Sequence, residues 1–185
     1  MRVAGLMGAA VAVGVGSSQG RLARLDEQAF RAVNRGHGTG ADRVASGITE
    51  LGSIWASIGA AATLASIGRR RAAAKGLAAA SIAWLAGQAL KKVFLRARPY
   101  AADPNGVRLM IHPPRATSWP SSHPAVLLAF VTVAGRELSL PFEMRAGLTA
   151  LGAVVGLSRV YVGVHYPADV VGGLLMGRAV AEAVP

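Results

Sequence analysis

Ser158-Arg159-Val160-Tyr161-Val162-Gly163-Val164-His165-Tyr166-Pro167-Ala168-Asp169 places an alcohol, a guanidinium, an imidazole and a carboxylate in an otherwise apolar C-terminal third. Pro167 suits the first position of a helix, where its missing N–H would have gone unsatisfied anyway. Asp169 then falls in the first helical turn, where the helix dipole favours an anion, and its carboxylate reaches back toward His165. A carboxylate on one ring nitrogen fixes the tautomer and leaves the other nitrogen free to attack. Arg159 presents a fork of donors that suits phosphate oxygens. The same residues also describe a helix–loop–helix corner whose polar side chains face water, because short motifs arise by chance.

Two further stretches bear on that choice. Lys91 and Arg98-Pro99 close one apolar segment, and Pro120-Ser121-Ser122-His123 opens the next. Together with Ser158-Arg159-x5-His165-x3-Asp169, these blocks resemble the signature of the type 2 phosphatidic acid phosphatase (PAP2) superfamily. That family includes membrane lipid phosphatases, glucose-6-phosphatase and the soluble vanadium haloperoxidases. The first and third blocks match at every defining position. The second departs, because the family usually has Pro-Ser-Gly-His and Ser122 stands at the glycine. The resemblance covers residues 91–169, with weaker similarity in Leu25-Asp26-Glu27-Gln28-Ala29-Phe30 and Thr49-Glu50-Leu51-Gly52-Ser53.

Composition narrows the class. Hydrophobic residues make up 52% and charged residues 16%, with a mean hydropathy of +0.41. That is too apolar for an ordinary soluble domain and typical of a membrane protein. A length of 185 residues fits one domain. The net charge of +11 would suit nucleic acid. The arginines, however, sit at the ends of apolar runs rather than along one polar stripe, and no nucleic-acid partner is expected. The absence of cysteine excludes disulfides and thiolate chemistry. Four histidines with no His-x-x-x-His pair or carboxylate cluster predict no metal site and no cofactor.

In chain order, residues 3–16 form an apolar segment behind Arg2, short for a span of about 20 residues. It reads equally as a short or interfacial helix or as a signal-peptide core, though no Ala-x-Ala-like cleavage site follows. The domain proper is therefore drawn as residues 21–185, with 1–20 as an N-terminal segment of open role. Leu22, Leu25, Ala29, Phe30 and Val33 recur at helical spacing, which predicts an amphipathic helix lying on a membrane surface. His37, in a glycine-rich breaker, reads as a solvated loop residue. Residues 52–68, 74–95, 123–134, 146–157 and 170–184 read as five spans, with a sixth if the N-terminus crosses. Arg69-Arg70-Arg71 and Lys75 mark the first hairpin tip as cytoplasmic. All three blocks then lie together on the outer face. Tyr100, Trp119, Tyr161 and Tyr166 read as an interfacial anchoring belt, and His112 as an outer-loop residue.

Charges near a hydrocarbon boundary are costly and usually functional. Lys91, Arg98 and Arg159 are expected to neutralise a transferring phosphoryl group, which relies on positioning and charge. Lys92 and Arg96 read instead as side chains snorkelling to headgroups. Ser121 offers a hydroxyl, and the amides of Ser122 and His123 open a helix that suits phosphate. The Ser122 side chain is expected to narrow the pocket. The family resemblance implies that His165 forms a phosphohistidine, that Asp169 orients it, and that His123 protonates the leaving oxygen and then activates water.

The expectation is an all-α, multi-pass transmembrane helical bundle with a PAP2/haloperoxidase-like core in the cell membrane and an extracytoplasmic site. It would hydrolyse a phosphate or diphosphate ester of a lipid without a metal. The lipid types that fit are polyprenyl phosphates, phosphatidic acid and phosphatidylglycerophosphate. A vanadate-dependent haloperoxidase and a non-catalytic membrane scaffold or transporter are the rivals. The apolar spans oppose the first, and the spacing of His123, His165 and Asp169 opposes the second.

Overall fold

The apolar periodicity becomes helix almost throughout. The computed structural model describes residues 1–36 and 38–185, so the reading of His37 lies outside the described residues. Among them the chain forms nine α-helices and no strand: α1 (Arg2–Gly16), α2 (Gly20–Asn34), α3 (Thr39–Thr49), α4 (Ile54–Ser66), α5 (Arg70–Val93), α6 (Pro99–Ala102), α7 (Ser122–Glu137), α8 (Phe142–Tyr161) and α9 (Pro167–Ala183). A 3-10 turn, Glu50–Gly52, joins α3 to α4. The Ser53 hydroxyl starts α4 by accepting from Ala56 N at 3.1 Å. Pro99 and Pro167 occupy the first turns of α6 and α9.

The five expected spans appear as α4, α5, α7, α8 and α9, but the count of five or six crossings is not supported. No single helix among the described residues is long and apolar enough to cross a bilayer. The 13 residues of α4 reach only about 20 Å at 1.5 Å each. The 24-residue α5 is long enough but carries Arg70, Arg71, Lys75, Lys91 and Lys92. Two bent pairs do reach the length and hydropathy: α1 with α2, bent by 89°, and Thr39–Gly52 with α4, bent by 66°.

Packing sets the helix order. α7 lies between α5 and α9, α4 covers α5, α8 flanks α7 and α9, and α1 runs along α9. The contacts are small. Ala61, Ala73, Ala80 and Ala134 surround Val126 and Phe130 between α4, α5 and α7. Ala79, Ala83, Ala129 and Ala181 meet Val133 and Val180 between α5, α7 and α9. Small residues let backbones approach closely, a device of helix packing in membranes. The closest approaches are on α9, where a Cβ on Gly173 would lie 2.2 Å from Ser121 O and one on Gly177 2.4 Å from Ala125 O. The usual polarity is reversed at many positions: Trp55, Leu85, Phe142 and Leu157 are exposed, while Lys91, Arg98, Arg159 and Asp169 are buried.

The anchoring belt is corrected in two places. Trp119 is 1% exposed, with its indole wedged between α1 and α9. A Cβ on Gly14 or Gly172 would stand 2.6 or 2.5 Å from that ring. Tyr161 is buried too, and its hydroxyl donates to Asp42 Oδ1 at 2.7 Å. Both rings are enclosed by the protein, so neither is presented to lipid as an anchor. The amphipathic reading of α2 also turns around: Asp26, Phe30 and Asn34 face inward, and Leu22 and Leu25 face out.

Gly173→Ala should lower stability by about 1–3 kcal/mol through overpacking against Ser121. Gly147 of α8 has open space around it, so Gly147→Ala should be neutral or stabilise by roughly 0.5–1 kcal/mol. Thermal unfolding of the two variants checks both values, and equal effects would contradict the packing described.

Candidate active site

The three sequence blocks meet at one end of the bundle. Lys91, Arg98, Ser122, His123, Arg159 and His165 line one cavity of about 300 Å³. Asp169 lies behind His165 with no exposure at all. Ser121 is also fully buried but is not part of the wall, and its backbone N–H donates to Asp169 O at 2.9 Å.

Local structure accounts for each position. Lys91 ends α5, and its ammonium donates to three carbonyls of the segment before α7: Thr117 O at 3.0 Å, Ser118 O at 3.1 Å and Pro120 O at 2.7 Å. An ammonium has three donors, so Lys91 orders that segment as well as charging the wall. Arg98 caps α6 and donates from Nε to Ala116 O at 2.6 Å and from Nη1 to Val164 O at 2.9 Å. Arg159 in the last turn of α8 donates to Thr49 Oγ1 at 2.8 Å, and its buried Nε has no protein partner. His123 stands at the start of α7, pressed against the 3-10 turn, where a Cβ on Gly52 would lie 2.7 Å from His123 Cβ. The Ser122 hydroxyl takes up space that Gly87 of α5 leaves open, and it too is buried without a partner.

His165 sits in the turn between α8 and α9, where Gly163 holds φ at +87°. That left-handed conformation suits glycine, and a Cβ there would also meet Arg108 O at 2.5 Å. The imidazole Nε2 lies 3.1 Å from Arg98 Nη1. Guanidinium nitrogens only donate, so Nε2 accepts and the ring proton resides on Nδ1. That nitrogen faces Asp169 Oδ2 at 3.4 Å. Asp169 Oδ2 also accepts from Ser118 Oγ at 2.5 Å and Tyr166 N at 2.8 Å, while Oδ1 accepts from Arg96 Nη1 at 2.7 Å.

Burial holds the His165 imidazolium well below the ordinary histidine range, and the charges of Arg98, Lys91 and Arg159 and the neighbouring His123 add to the effect. The imidazole is therefore a neutral base with its lone pair on the cavity side.

Reading the sequence alone misplaced one residue and missed three. Arg96 is not at a headgroup level: it is mostly buried, ion-paired with Asp169 and with Asp26 of α2. Thr49, Ser118 and Asp26 carry side chains that hold site residues and were not singled out. For Arg96 no local signal separates it from Arg98, two residues on; for Asp26 the signal was an acid on the same helical face as Phe30, one turn away.

Comparison with known proteins places the chain in one family. The model of the PAP2 superfamily matches residues 56–185. A decaprenylphosphoryl-5-phosphoribose phosphatase from Mycobacterium tuberculosis is 32% identical over 51% of this chain and 49% of its own. The chain thus spans about half the length of that relative. The protein of the same name from Mycolicibacterium smegmatis is 32% identical over 73% of this chain and 70% of its own. Among solved structures, a transmembrane PAP2-type phosphatidylglycerolphosphate phosphatase from Bacillus subtilis superposes with a TM-score of 0.81 at 22% identity, covering 99% of this chain and 94% of that one. Aquifex aeolicus LpxE superposes with a TM-score of 0.75 at 26% identity, covering 86% and 94%.

The buried neutral His165 has a consequence for stability. An unfolded histidine, with a pKa of about 6.5, takes up a proton that native His165 refuses. The contribution is present above that pH and is lost as pH falls, by at most about 1.4 kcal/mol per pH unit for one group. Tm should fall between about pH 7.5 and about pH 5, and less steeply in His165→Asn. Identical slopes in the two proteins would refute the buried neutral imidazole.

Proposed function

The chain belongs to the PAP2 superfamily, and from that premise we propose that it is a membrane phosphatase that hydrolyses a phosphate ester on a lipid headgroup. The observation that carries this reading is the cavity itself. Two histidines face a space walled by Lys91, Arg98 and Arg159, with unpartnered donors at Arg159 Nε and Ser122 Oγ. Such a set matches the charge of a phosphoryl group, whose transfer depends on positioning and on electrostatic stabilisation.

In the proposed reaction, His123 enters as the imidazolium, its positive charge balanced by the bound phosphate dianion. His165 Nε2 attacks phosphorus, and the bond to the leaving alcohol breaks as His123 gives its proton to that oxygen. Arg98 moves its Nη1 hydrogen bond from Nε2 onto a phosphoryl oxygen. Asp169 holds Nδ1–H and so stabilises the positive ring of the phosphohistidine. Water then attacks phosphorus while His123 takes its proton, and phosphate leaves with the electrons of the P–N bond. Arg159 and the amides of Ser122 and His123 receive the remaining oxygens, and Ser121 fixes the start of α7. Lys91 supplies charge and the shape of the loop before α7. No step calls for a metal, because the cations of the wall meet the developing charge.

The cavity also supports a lipid. Ile54, Trp55 and Trp84 form part of its lining, and Trp55 is 76% exposed. An apolar chain lying there would remain in the bilayer while its phosphate enters. By name, the relatives act on a decaprenylphosphoryl phosphoribose and on phosphatidylglycerolphosphate. The shared chemistry carried over is a phosphate ester on a headgroup attached to a long apolar chain. Glu137 pairs with Arg71 and Lys75, at the far ends of α5 and α7 from the site. Positive loops stay cytoplasmic, which would place the site outside.

Purified protein should release phosphate from a panel of polyprenyl and glycerolipid phosphates in excess chelator, and vanadate should inhibit competitively. His165→Ala and Asp169→Ala should reduce turnover by about 10³-fold or more, as removal of an acting nucleophile or its orienting acid does. Wild-type activity in folded His165→Ala would sink the assignment, and loss of activity on chelation with recovery in magnesium would refute the charge balance.

Topology has its own test, since the chain has no cysteine. Cysteine placed at His112 should react with an impermeant reagent in intact cells, and cysteine placed at Arg70 only after permeabilisation. The reverse pattern would invert the orientation.

A further inference from the structure

We propose that Asp26 and Arg96 form a positioning relay behind His165: Asp26 divides the Arg96 guanidinium, so that Asp169 keeps one oxygen for the imidazole. The inference rests on the reading of His165 as nucleophile and Asp169 as its orienting acid.

The geometry is that of a fork shared between two acids. Arg96 Nη1 donates to Asp169 Oδ1 at 2.7 Å, and Nη2 donates to Asp26 Oδ2 at 2.6 Å. Ser17 takes weaker bonds from the same fork, at Oγ from Nη1 (3.2 Å) and at its carbonyl from Nη2 (3.3 Å). The guanidinium face stacks on Tyr166, 4.3 Å from the ring centroid, which fixes its plane. The other Asp26 oxygen accepts from Ala168 N at 2.8 Å, the residue next to Asp169 in the first turn of α9. Both acids and the arginine are largely buried, with side-chain exposures of 7%, 0% and 12% for Asp26, Asp169 and Arg96.

An undivided guanidinium prefers both oxygens of one carboxylate. Without Asp26, Nη2 would have Asp169 as its nearest anionic partner, and the carboxylate would turn toward Arg96. The Oδ2 atom would then leave Ser118 Oγ, Tyr166 N and His165 Nδ1. That last contact, at 3.4 Å, is already at the outer limit for a hydrogen bond, so a small rotation breaks it. Charge points the same way. Asp26, Arg96 and Asp169 carry one net negative charge behind the imidazole, opposite the cations of the cavity wall. Loss of Asp26 leaves Arg96 to cancel Asp169, and Nε2 becomes a poorer nucleophile. Neither Asp26 nor Arg96 lines the cavity, so neither touches substrate.

The test compares Asp26→Asn, Asp26→Glu, Arg96→Lys and the double variant D26N/R96Q with wild type. With a lipid phosphate, Asp26→Asn should lower kcat about tenfold or more, as loss of an outer partner of a site ligand does, with KM within about twofold. Asp26→Glu should recover part of the loss. The double variant removes the guanidinium together with the acid that divides it, which restores one net negative charge behind the imidazole and leaves Asp169 uncontested. The relay therefore requires it to be faster than Asp26→Asn, whereas a pair that only tethers the helices would leave it as slow or slower. A second readout does not need turnover: in protein labelled with 15N-histidine, the Nδ1–H proton resonance that disappears in His165→Asn should lie downfield in wild type. It should move upfield in Asp26→Asn, or in Arg96→Lys if Asp26→Asn does not fold. An unmoved resonance with unchanged kcat, or a double variant no faster than Asp26→Asn, overturns the relay. A moved resonance in a protein that releases no phosphate keeps the relay and sinks the proposed function instead.

Discussion

The carboxylate of Asp169 is the contact on which the polar end of this bundle depends. It is fully buried, yet it accepts from Arg96, Ser118, the Tyr166 amide and the His165 ring. A buried charge persists only when paired and hydrogen-bonded, and here the partners come from three separate places in the sequence. Through them it joins the end of α5, the segment before α7, and the turn from α8 to α9. Its own carbonyl receives the Ser121 amide and so fixes the start of α7. One residue thereby ties together all three polar blocks, and removal of its carboxylate would leave Ser118 without its buried acceptor and Arg96 with Asp26 as its one acid partner.

What lets those blocks approach is the opposite kind of residue. Gly173 and Gly177 bring α9 against the backbone of α7, Gly156 receives Val170, and Gly52 seats the 3-10 turn against His123. A Cβ at any of these positions would stand within 3 Å of another atom. The helices therefore meet at alanine and glycine distance, and the space that large side chains would fill elsewhere is absent from the core. One cavity is left where the buried cations repel one another and the chain turns. Apolar bulk moves outward in exchange, to Trp55, Leu85, Phe142 and Leu157. Such a distribution suits an apolar surround better than water.

Much of this was legible in the sequence because the three blocks carry local spacing: Lys91 to Arg98 across a helix end, Ser121 to His123 at a helix start, His165 to Asp169 across the entry to a helix. Local geometry predicts local neighbours, and the helical period located α4, α5, α7, α8 and α9 well. Crossing number was another matter, since a helix's length depends on where tertiary contacts end it. Trp119 was misread for a related reason. An aromatic residue beside a proline-rich loop looks like an interface anchor, and only the meeting of Gly14 with Gly172, far apart in sequence, makes a slot for it. Arg96 was misread because two cations on one short stretch, Arg96 and Arg98, have the same local pattern. Arg98 turns to His165 and Arg96 to the acids, and nothing within the stretch itself distinguishes them.

The N-terminal third shows how far the site extends beyond its motifs. The matched family region begins at residue 56, yet Thr49 holds Arg159, Gly52 gives His123 its close wall, and Asp26 pairs with Arg96. Thr49 acts on a motif residue directly and Asp26 acts on Asp169 through Arg96, both from outside the cavity wall, whereas Gly52 is itself part of that wall. That division follows from the demands on the two sets. Groups that face a phosphoryl oxygen must keep fixed types and spacings, because the oxygens have one size and one charge. A group that holds such a residue from behind needs only to supply a compatible partner at the right distance, and many chain segments can do so. The motifs are therefore written in adjacent residues, whereas their supports come from α2 and α3, wherever packing against α8 and α9 brings them. The inward face of α2 is mixed for the same reason: Asp26 meets Arg96, Phe30 packs on Val160 and Val170, and Asn34 donates to the carbonyls of Arg108 and Tyr161, while Leu22 and Leu25 are left outside.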